Sequence, residues 1–482
     1  MKLIKQFDII SLLLWSILSF NFIENVNSIH NFQCLRSIRG PVIYDDGDNT
    51  ILFQSLIIGE NTRVHYTPSV LIYAIDNEDV KKAVNCAVES NTDIIARSGG
   101  HSYENYGLGG RDGVMVLDVT FIDEIIIDSK RRTAKIGAGN RLGVIYYKLS
   151  QAGFILPGGT CSSVGIGGHA LGGGHGYFGR KHGLACDNVI SMEMVLANGT
   201  LIHIDRTLNS DLYFALRGAG ASYGIVTHFV VRIHPIPPQV TFMKFVFDVT
   251  QVQQLISALD EVGPSLDDGI GFKLRLYNYS LFIIASYLGP RTEAQNAMEK
   301  FLSKAPKPKS SEYTQQSFLE TFAALANTNK YEVMKPSHHP IFYKTKSFYI
   351  NVGERLTKDG VDFLMKFLNE PRCDGALATF DLYGGAINNR DHGTAFIHRD
   401  SNYCIHIEAY NAECVDEINR FGKEFQSNFT SKYSNQVIID RELDNWRERY
   451  YGGIFERLLK IKLDYDPKNL FKFPQSIIPS ED

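Results

Sequence analysis

The chain has no excess of charge of either sign: 49 lysines and arginines face 53 aspartates and glutamates, a net charge of −4 over 482 residues. That balance leaves no electrostatic footprint for a nucleic-acid partner. No internal repeat or low-complexity tract is present, which sets aside solenoids and disordered tails. Cysteine is scarce. There are seven, at 34, 86, 161, 186, 373, 404 and 414, and Cys161 and Cys186 form no C-x-x-C pair. His169, His175 and His182 have five and six residues between them, which puts them on no single helical face, and no carboxylate completes a set. No metal is expected. Beyond residue 23 no apolar run reaches the length of about 20 residues that a membrane span needs.

What is present starts at the N-terminus. Lys2 and Lys5 precede an apolar stretch from Ile9 to Ile23, and Val26 and Ser28 are small or medium residues of the kind found before a cleavage point. Residues 1–28 read as a secretory signal peptide, so a secreted protein is expected, with no membrane contact after removal. The sequons Asn198-Gly-Thr200, Asn278-Tyr-Ser280 and Asn428-Phe-Thr430 fit export as a glycoprotein. An oxidising compartment permits disulfides. Apolar residues make up 44% and charged residues 21%, an ordinary globular composition. The length exceeds one ordinary core and predicts two domains. The 24 Tyr and 30 Phe serve either packing or an aromatic-walled substrate cleft.

From Val70 to Pro235 short β-rich runs alternate with helices. Strands are predicted at Val70–Ile75, Ile94–Arg97, Val114–Val119, Glu124–Ile127, Thr133–Ile136 and Ile225–Ile233. Asn77 can cap a helix through Ser90, and a second helix, Leu142–Ala152, stops at Gly153. Asn198-Gly199 joins Val189–Ala197 to Leu201–Ile204 as a hairpin. Pro235-Ile-Pro-Pro238 breaks the chain. After it come strands at Phe242–Val249, Gly271–Tyr277, Leu281–Tyr287, Ala376–Tyr383 and Tyr403–Tyr410. Helices are predicted at Gln251–Val262, Thr292–Leu302 and Lys358–Leu368. This part reads as an antiparallel sheet with helices on one face. Ala305–Ser311 reads as a polar loop, Tyr450–Leu463 as an amphipathic helix, and Asp464–Pro474 as a tail anchored by aromatics.

Two glycine-rich segments carry the chemistry: Arg97-Ser-Gly-Gly-His-Ser-Tyr103 and Pro157-Gly-Gly-Thr-Cys-Ser-Ser-Val-Gly-Ile-Gly-Gly168. Each sets one nucleophile, His101 or Cys161, in a turn whose glycines allow positive φ and close backbone approach. Successive peptide N–H groups in such turns hold anions. A phosphate-bearing cofactor with an imidazole and a thiol aimed at it is the economical reading, and that describes a flavoprotein with covalent attachment. Gly165, Gly167 and Ala170 also match the G-x-G-x-x-A spacing of a nicotinamide-dinucleotide turn, although no clear strand feeds it.

Five segments together resemble the berberine bridge enzyme-like oxidases, within the vanillyl-alcohol oxidase (p-cresol methylhydroxylase) type of FAD fold. They are the two above, with the second continued to Gly176, then Gly218–Thr227, Tyr383-Gly-Gly385 with Phe396–Asp400, and Asp464–Phe471. The resemblance implies an α+β fold with two domains. One is an FAD-binding domain of residues 29–238 and 436–482. The other is a substrate domain of residues 239–435, an antiparallel sheet covered by helices. It implies FAD bound bicovalently, through His101 on the 8α carbon and Cys161 on C6. It places Arg97, Ser98, Gly99, Gly100, Ser102, Gly165, Gly167, Gly168 and His169 around the cofactor, and Gly224, Ile225 and Val226 near the adenosine and flavin. Cys34 and Cys86 match a family disulfide. Val164, three residues after the linking cysteine, stands where a small side chain admits O2.

Relatives carry a tyrosine as, or beside, the catalytic base at the position that Asp440 occupies here. A buried carboxylate can take that role. His406, Glu408 and Tyr410 alternate onto one face of their strand and are further candidates. The expected reaction is hydride transfer from an alcohol or sugar carbon, with O2 reduced to hydrogen peroxide by a monomeric enzyme. The substrate is a carbohydrate or an aromatic alcohol. Three alternatives stay open: a nicotinamide-dependent dehydrogenase, an FAD enzyme using another acceptor, and a carbohydrate-binding relative that lost turnover at Asp440.

Overall fold

Three sheets of four, five and seven strands, with the helices around them, position the cleft described below. The structure, a computed structural model, describes residues 32–478 apart from 48, 338, 391 and 392. The expected signal peptide lies outside the described residues.

A four-stranded sheet runs in the order Val42–Ile43, Val70–Tyr73, Met115–Asp118, Ile94–Arg97, and its last three strands are parallel. Parallel strands are covered on both faces, which accounts for the unbroken apolar runs Val70–Tyr73 and Met115-Val-Leu117. The helix Asn77–Glu89 provides the crossover. Its cap is Asp76, one residue earlier than expected. Asp76 is extended at φ −161° and accepts from the Glu78 and Asp79 N–H groups, whereas Asn77 is already helical. A five-stranded antiparallel sheet follows, ordered Ile125–Asp128, Thr133–Gly137, Ile225–Arg232, Val189–Val195, Leu201–Asp205. The expected hairpin turns at Gly199, whose φ is +74°.

The seven-stranded antiparallel sheet is ordered Ser310–Gln316, Val240–Phe247, Leu281–Tyr287, Ile270–Leu276, Leu377–Leu382, Ser401–Ala409, Lys344–Asn351. One face packs on the helices Val252–Val262, Arg291–Leu302, Lys358–Leu368 and Val415–Phe429, and together they enclose a core of their own. Strand alternation then sends Lys273, Arg275, Asp381, His406 and Glu408 to the other face. The architecture is α+β, as expected. A separate core lies under the first two sheets and takes in Tyr450, Leu458, Leu470, Phe471 and Ile477 from the C-terminal segment.

Two strands of the seven-stranded sheet escaped the sequence reading. Ser310–Gln316 is a polar edge strand, partly where a loop was expected, and its exposed Ser-Ser-Glu start offers no apolar alternation. Lys344–Asn351 is buried although it contains Lys, Thr, Lys and Ser. Its burial depends on ion pairs with distant residues. The helices Phe318–Leu325 and Val415–Phe429 were missed as well. The predicted helix at 450–463 is two, Trp446–Tyr451 and Phe455–Tyr465, separated at Gly452, whose φ is +52°. Cys34–Cys86 is a disulfide with a Cα separation of 5.4 Å, and Cys373–Cys414 is a second with 4.8 Å. Among the described residues no helix is long and apolar enough to cross a membrane.

Candidate functional site

The His101 loop leaves the end of strand Ile94–Arg97. Arg97 is buried, and its guanidinium donates to Asp118 (2.5 Å), the Leu56 carbonyl (2.7 Å) and the Tyr73 hydroxyl (3.2 Å). These bonds anchor the start of the loop to the parallel sheet. The backbone then turns at Gly100, φ +69°. At Gly99 the loop meets the second glycine segment backbone to backbone. A Cβ on Gly99 would lie 2.1 Å from the Gly165 nitrogen, and one on Gly165 would lie 2.2 Å from the Gly99 nitrogen. Ser98 Oγ reinforces the crossing by donating to the Ala138 carbonyl (2.6 Å) and accepting from the Gly167 N–H (3.4 Å).

The two nucleophiles meet at one hydroxyl. His101 Nε2 lies 2.9 Å from Ser163 Oγ, and Cys161 Sγ lies 3.4 Å from the same oxygen. Glu60 stands 3.6 Å from His101 Nε2. Cys161 is exposed, whereas Cys186 and Cys404 are buried with thiols pushed up by burial. His169 accepts from the Gly159 N–H through Nε2 (2.9 Å), and burial, with His175 beside it, lowers its pKa to about 4. It is a neutral imidazole at physiological pH.

A cleft of about 430 Å³ runs between the glycine loops and the seven-stranded sheet. Every residue nominated for the cofactor lines it, from Arg97 through His101, Cys161, Val164 and His169 to Gly224, Ile225 and Val226. Two features fit an anionic, extended cofactor. Arg141 is half-buried beside Gly99, and its Nη1, itself shielded from solvent, has no hydrogen-bond partner. A Cβ on Gly168 would stand in open space. A guanidinium nitrogen without a hydrogen-bond partner beside a bare backbone turn suits a pyrophosphate. Arg141 was not anticipated from the sequence, because only its approach to Gly99 marks it.

The opposite wall comes from the seven-stranded sheet. Asp381 and Lys273 are direct cross-strand partners and form an ion pair at 2.7 Å. Asp381 is the one carboxylate among the residues lining the cleft. Burial alone would raise its pKa, but Lys273 first, then His175 and His406, hold it below the ordinary aspartate value. His175 lies flat on Tyr383, with ring centroids 4.5 Å apart, and Tyr103 meets Tyr343 and His406 edge-on at 5.5 and 5.6 Å. Asp381 and Lys273 were not singled out in the sequence, since their pairing joins strands more than 100 residues apart in the chain.

None of the three nominated catalytic residues lines this cleft. Asp440 is the furthest from the expectation. Its carboxylate binds Lys344 Nζ (2.6 Å) and Lys346 Nζ (2.6 Å), and Lys344 also bonds Glu104 (3.0 Å) and Glu442. Lys344 and Lys346 pair with Ala409 and Ile407, whereas Ser347 pairs with His406. By strand alternation the two lysines project from the face opposite His406 and Asp381. Asp440 therefore sits behind the sheet. Burial opposes its charge, but Lys346 and Lys344 bring its pKa down to about 2. A carboxylate held this firmly makes a poor proton acceptor. The carboxylates of Glu104, Asp440 and Glu442 converge, and Lys344 Nζ bonds all three. Glu408 and Tyr410 bond each other at 2.8 Å on the rim, beyond His406.

Gly220-Ala-Ser222-Tyr-Gly224 has the Gly-x-Ser-x-Gly spacing of a hydrolase elbow. Its serine lies in a 3₁₀ turn that precedes a strand, and its hydroxyl, 2% exposed, accepts from the Ile477 N–H. This is structural packing. The Gly165–Ala170 turn enters the six-residue helix Ile166–Leu171 from a loop, so the strand-turn-helix unit of a nicotinamide fold is absent there.

Comparison with known proteins extends these observations. A family model described as "FAD binding domain" matches residues 68–205, and one described as "Berberine and berberine like" matches residues 432–478. The FAD-linked oxidoreductase sorD of Penicillium rubens is 31% identical over 456 residues, 89% of this chain and 94% of its own. The solved structure of Physcomitrella patens BBE-like 1 superposes with a TM-score of 0.87 at 32% identity, covering 93% of this chain and 99% of that one. The glucooligosaccharide oxidase of Sarocladium strictum is 28% identical over 87% of this chain and 89% of its own. A solved glucooligosaccharide oxidase from Acremonium strictum, 24% identical with a TM-score of 0.82 over 93% and 98% of the two chains, shares the fold, and its FAD is 6-S-cysteinyl, 8α-N1-histidyl.

Proposed function

The chain belongs to the berberine bridge enzyme-like FAD-linked oxidoreductases, and we propose that within that family it is an exported oligosaccharide oxidase with bicovalently bound FAD. The observation that carries this reading is the meeting of His101 and Cys161 at the Ser163 hydroxyl, across the cleft from Asp381. His101 would hold the 8α carbon and Cys161 the C6 carbon. Arg141 and the Gly99, Gly165 and Gly168 backbone would receive the pyrophosphate. When bound, FAD supplies the hydride acceptor and returns the electrons to O2, giving hydrogen peroxide.

The protein's own part is proton handling and orientation. Asp381 accepts the proton of the substrate hydroxyl as the neighbouring C–H gives up its hydride. Lys273 keeps Asp381 ionised between turnovers and holds its carboxylate in place. Tyr103, Tyr343 and His406 wall the space beside Cys161 and orient the substrate. Val164 lines the same cleft at the O2-admitting position. Two tethers hold the cofactor without a deep enclosing pocket, so the cleft stays open to a bulky substrate. The polar residues Thr379, His406 and Asp381 on the cleft face favour a hydroxyl-rich guest over an apolar aromatic one. So does the likeness to a glucooligosaccharide oxidase.

Two measurements test this. Purified protein denatured in acid should keep its yellow colour, and its tryptic digest should place the flavin on the peptides of His101 and Cys161. Peroxide should be released from reducing oligosaccharides. A free flavin after acid treatment would defeat the bicovalent reading, and peroxide from aromatic alcohols alone would defeat the substrate assignment.

A further inference from the structure

Two groups reach the His101 imidazole without lining the cleft themselves. Ser163 Oγ lies 2.9 Å from Nε2, and Glu60 Oε2 lies 3.6 Å from the same nitrogen. The side chains of His101 and Glu60 are 11% and 15% exposed, so the pair is nearly enclosed.

The position of Glu60 is built by the His101 loop itself. The Glu60 N–H donates to the Gly100 carbonyl (3.3 Å), and the Glu60 carbonyl accepts from the Ile341 N–H (3.0 Å). The next residue, Asn61, is buried. Its side-chain amide donates to the carbonyls of Tyr103 (2.7 Å) and Tyr343 (2.9 Å), and its backbone N–H donates to Asn105 Oδ1 (3.2 Å). Bonds to Gly100 on one side and to Tyr103 and Asn105 on the other bracket His101. The carboxylate is therefore held in register with the imidazole, although some forty residues of chain separate them.

A neutral imidazole carries one proton, on either nitrogen, and an ionised carboxylate only accepts. A carboxylate beside Nε2 favours the tautomer with the proton there and leaves the Nδ1 lone pair as the nucleophile. Nε2–H then donates to Ser163, and the serine's own hydrogen is directed to Cys161 Sγ at 3.4 Å. A hydrogen bond to that sulfur favours the thiolate, its reactive form. One charge thus sets the order of protons across both nucleophiles.

We propose that Glu60 primes the chain to attach its own flavin: it holds the His101 proton on Nε2, so that Nδ1 bonds the 8α carbon, and it accepts that proton as the bond forms. This rests on the bicovalent reading above and adds to it the residue that drives the histidine bond. One 8α C–H bond breaks and one C–Nδ1 bond forms. The two electrons released pass through the ring to O2. The two protons lost, one from the methyl carbon and one from Nε2 by way of Glu60, complete hydrogen peroxide. Glu60 acts through His101 and is a positioning residue.

The test uses the full chain purified with its flavin, and the readout is peptide mass. Tryptic digestion of the parent should release the His101 and Cys161 peptides joined through one flavin. Glu60→Ala should cut the joined species about tenfold or more and release flavin on the Cys161 peptide alone. Flavin kept at Cys161 shows that the cleft has formed. Incubation of Glu60→Ala in air with formate should restore the joined species, whereas formamide, of the same size but uncharged, should not. A merely structural role would not separate the two additives. Joined peptides at the parental level in Glu60→Ala, or formate no better than formamide, would overturn the role of Glu60 while leaving bicovalent attachment standing. Loss of both tethers in the variant would overturn it too, by marking a defect of folding. A parent with flavin on neither peptide would overturn both readings.

Discussion

Replacing Lys273 with methionine tests the assignment of Asp381 most directly. The substitution keeps an unbranched stem and removes one positive charge 2.7 Å from the Asp381 carboxylate. With Lys273 present, the Asp381 pKa lies below the ordinary aspartate value, so the base is ionised at every pH above that depressed value. Rates should therefore hold on the acid side down to the aspartate range. Without the ammonium, burial becomes the dominant influence and pushes the pKa up. An opposite charge at this distance is worth about 1–3 pKa units, or roughly 1–4 kcal/mol. Unit charges centred about 4 Å apart in a medium of effective dielectric constant near 20 give about 4 kcal/mol, the top of that range. The acid limb of kcat/KM should move up by about 1–3 pH units. Activity lost near pH 5 should return near pH 8, and Lys273→Arg should leave the limb where it was. The assay is initial peroxide release from pH 4 to 9 on one sugar. A profile that overlays the parent, or a loss equal at all pH values, would refute the assignment of Lys273 as the group that keeps Asp381 charged.

Asp381→Asn should lower kcat by about 10²–10⁴-fold with the folded structure intact, judged by circular dichroism and peroxide release. Asp440→Asn should instead weaken folding. Its folded pKa of about 2 lies below the ordinary value, so it contributes stability above the ordinary aspartate pKa that is lost as pH falls through about 2. Urea unfolding should show the variant about 2 kcal/mol or more less stable at pH 7, a gap that closes towards pH 2, while the acid limb of the rate stays in place. Gly165→Ala puts a Cβ 2.2 Å from the Gly99 nitrogen. It should separate the two loops and reduce covalent flavin per protein, read from the absorbance ratio after acid precipitation. Replacing both Cys34 and Cys86 with serine opens a 52-residue loop and should cost about 4 kcal/mol in thermal or urea unfolding.

Much of the site could be read along the chain, because its cofactor side is built from contiguous backbone. Glycines at 99, 100 and 165 announce turns that no other residue fits, and the nucleophiles His101 and Cys161 sit inside those turns. The hairpin at Asn198-Gly199 and most core strands were legible for the same reason, since their signals are local. The strand Lys344–Asn351 was not. Its lysines are buried only because Asp440, Glu104 and Glu442 arrive from other parts of the chain. That hidden strand also explains why Asp440 was mistaken for a base. The resemblance put Asp440 at the position of the family's tyrosine, and only the fold shows the two cations that hold it.

The amino-acid order by itself determined the cofactor class and the α+β architecture, because backbone freedom and strand period are properties of neighbouring residues. Only the folded molecule decided which carboxylate faces the cleft. Asp381 gains its place from a strand pairing and its charge from Lys273, His175 and His406 on three other segments. Electrostatic environment depends on distance through space, and the chain order does not contain that distance.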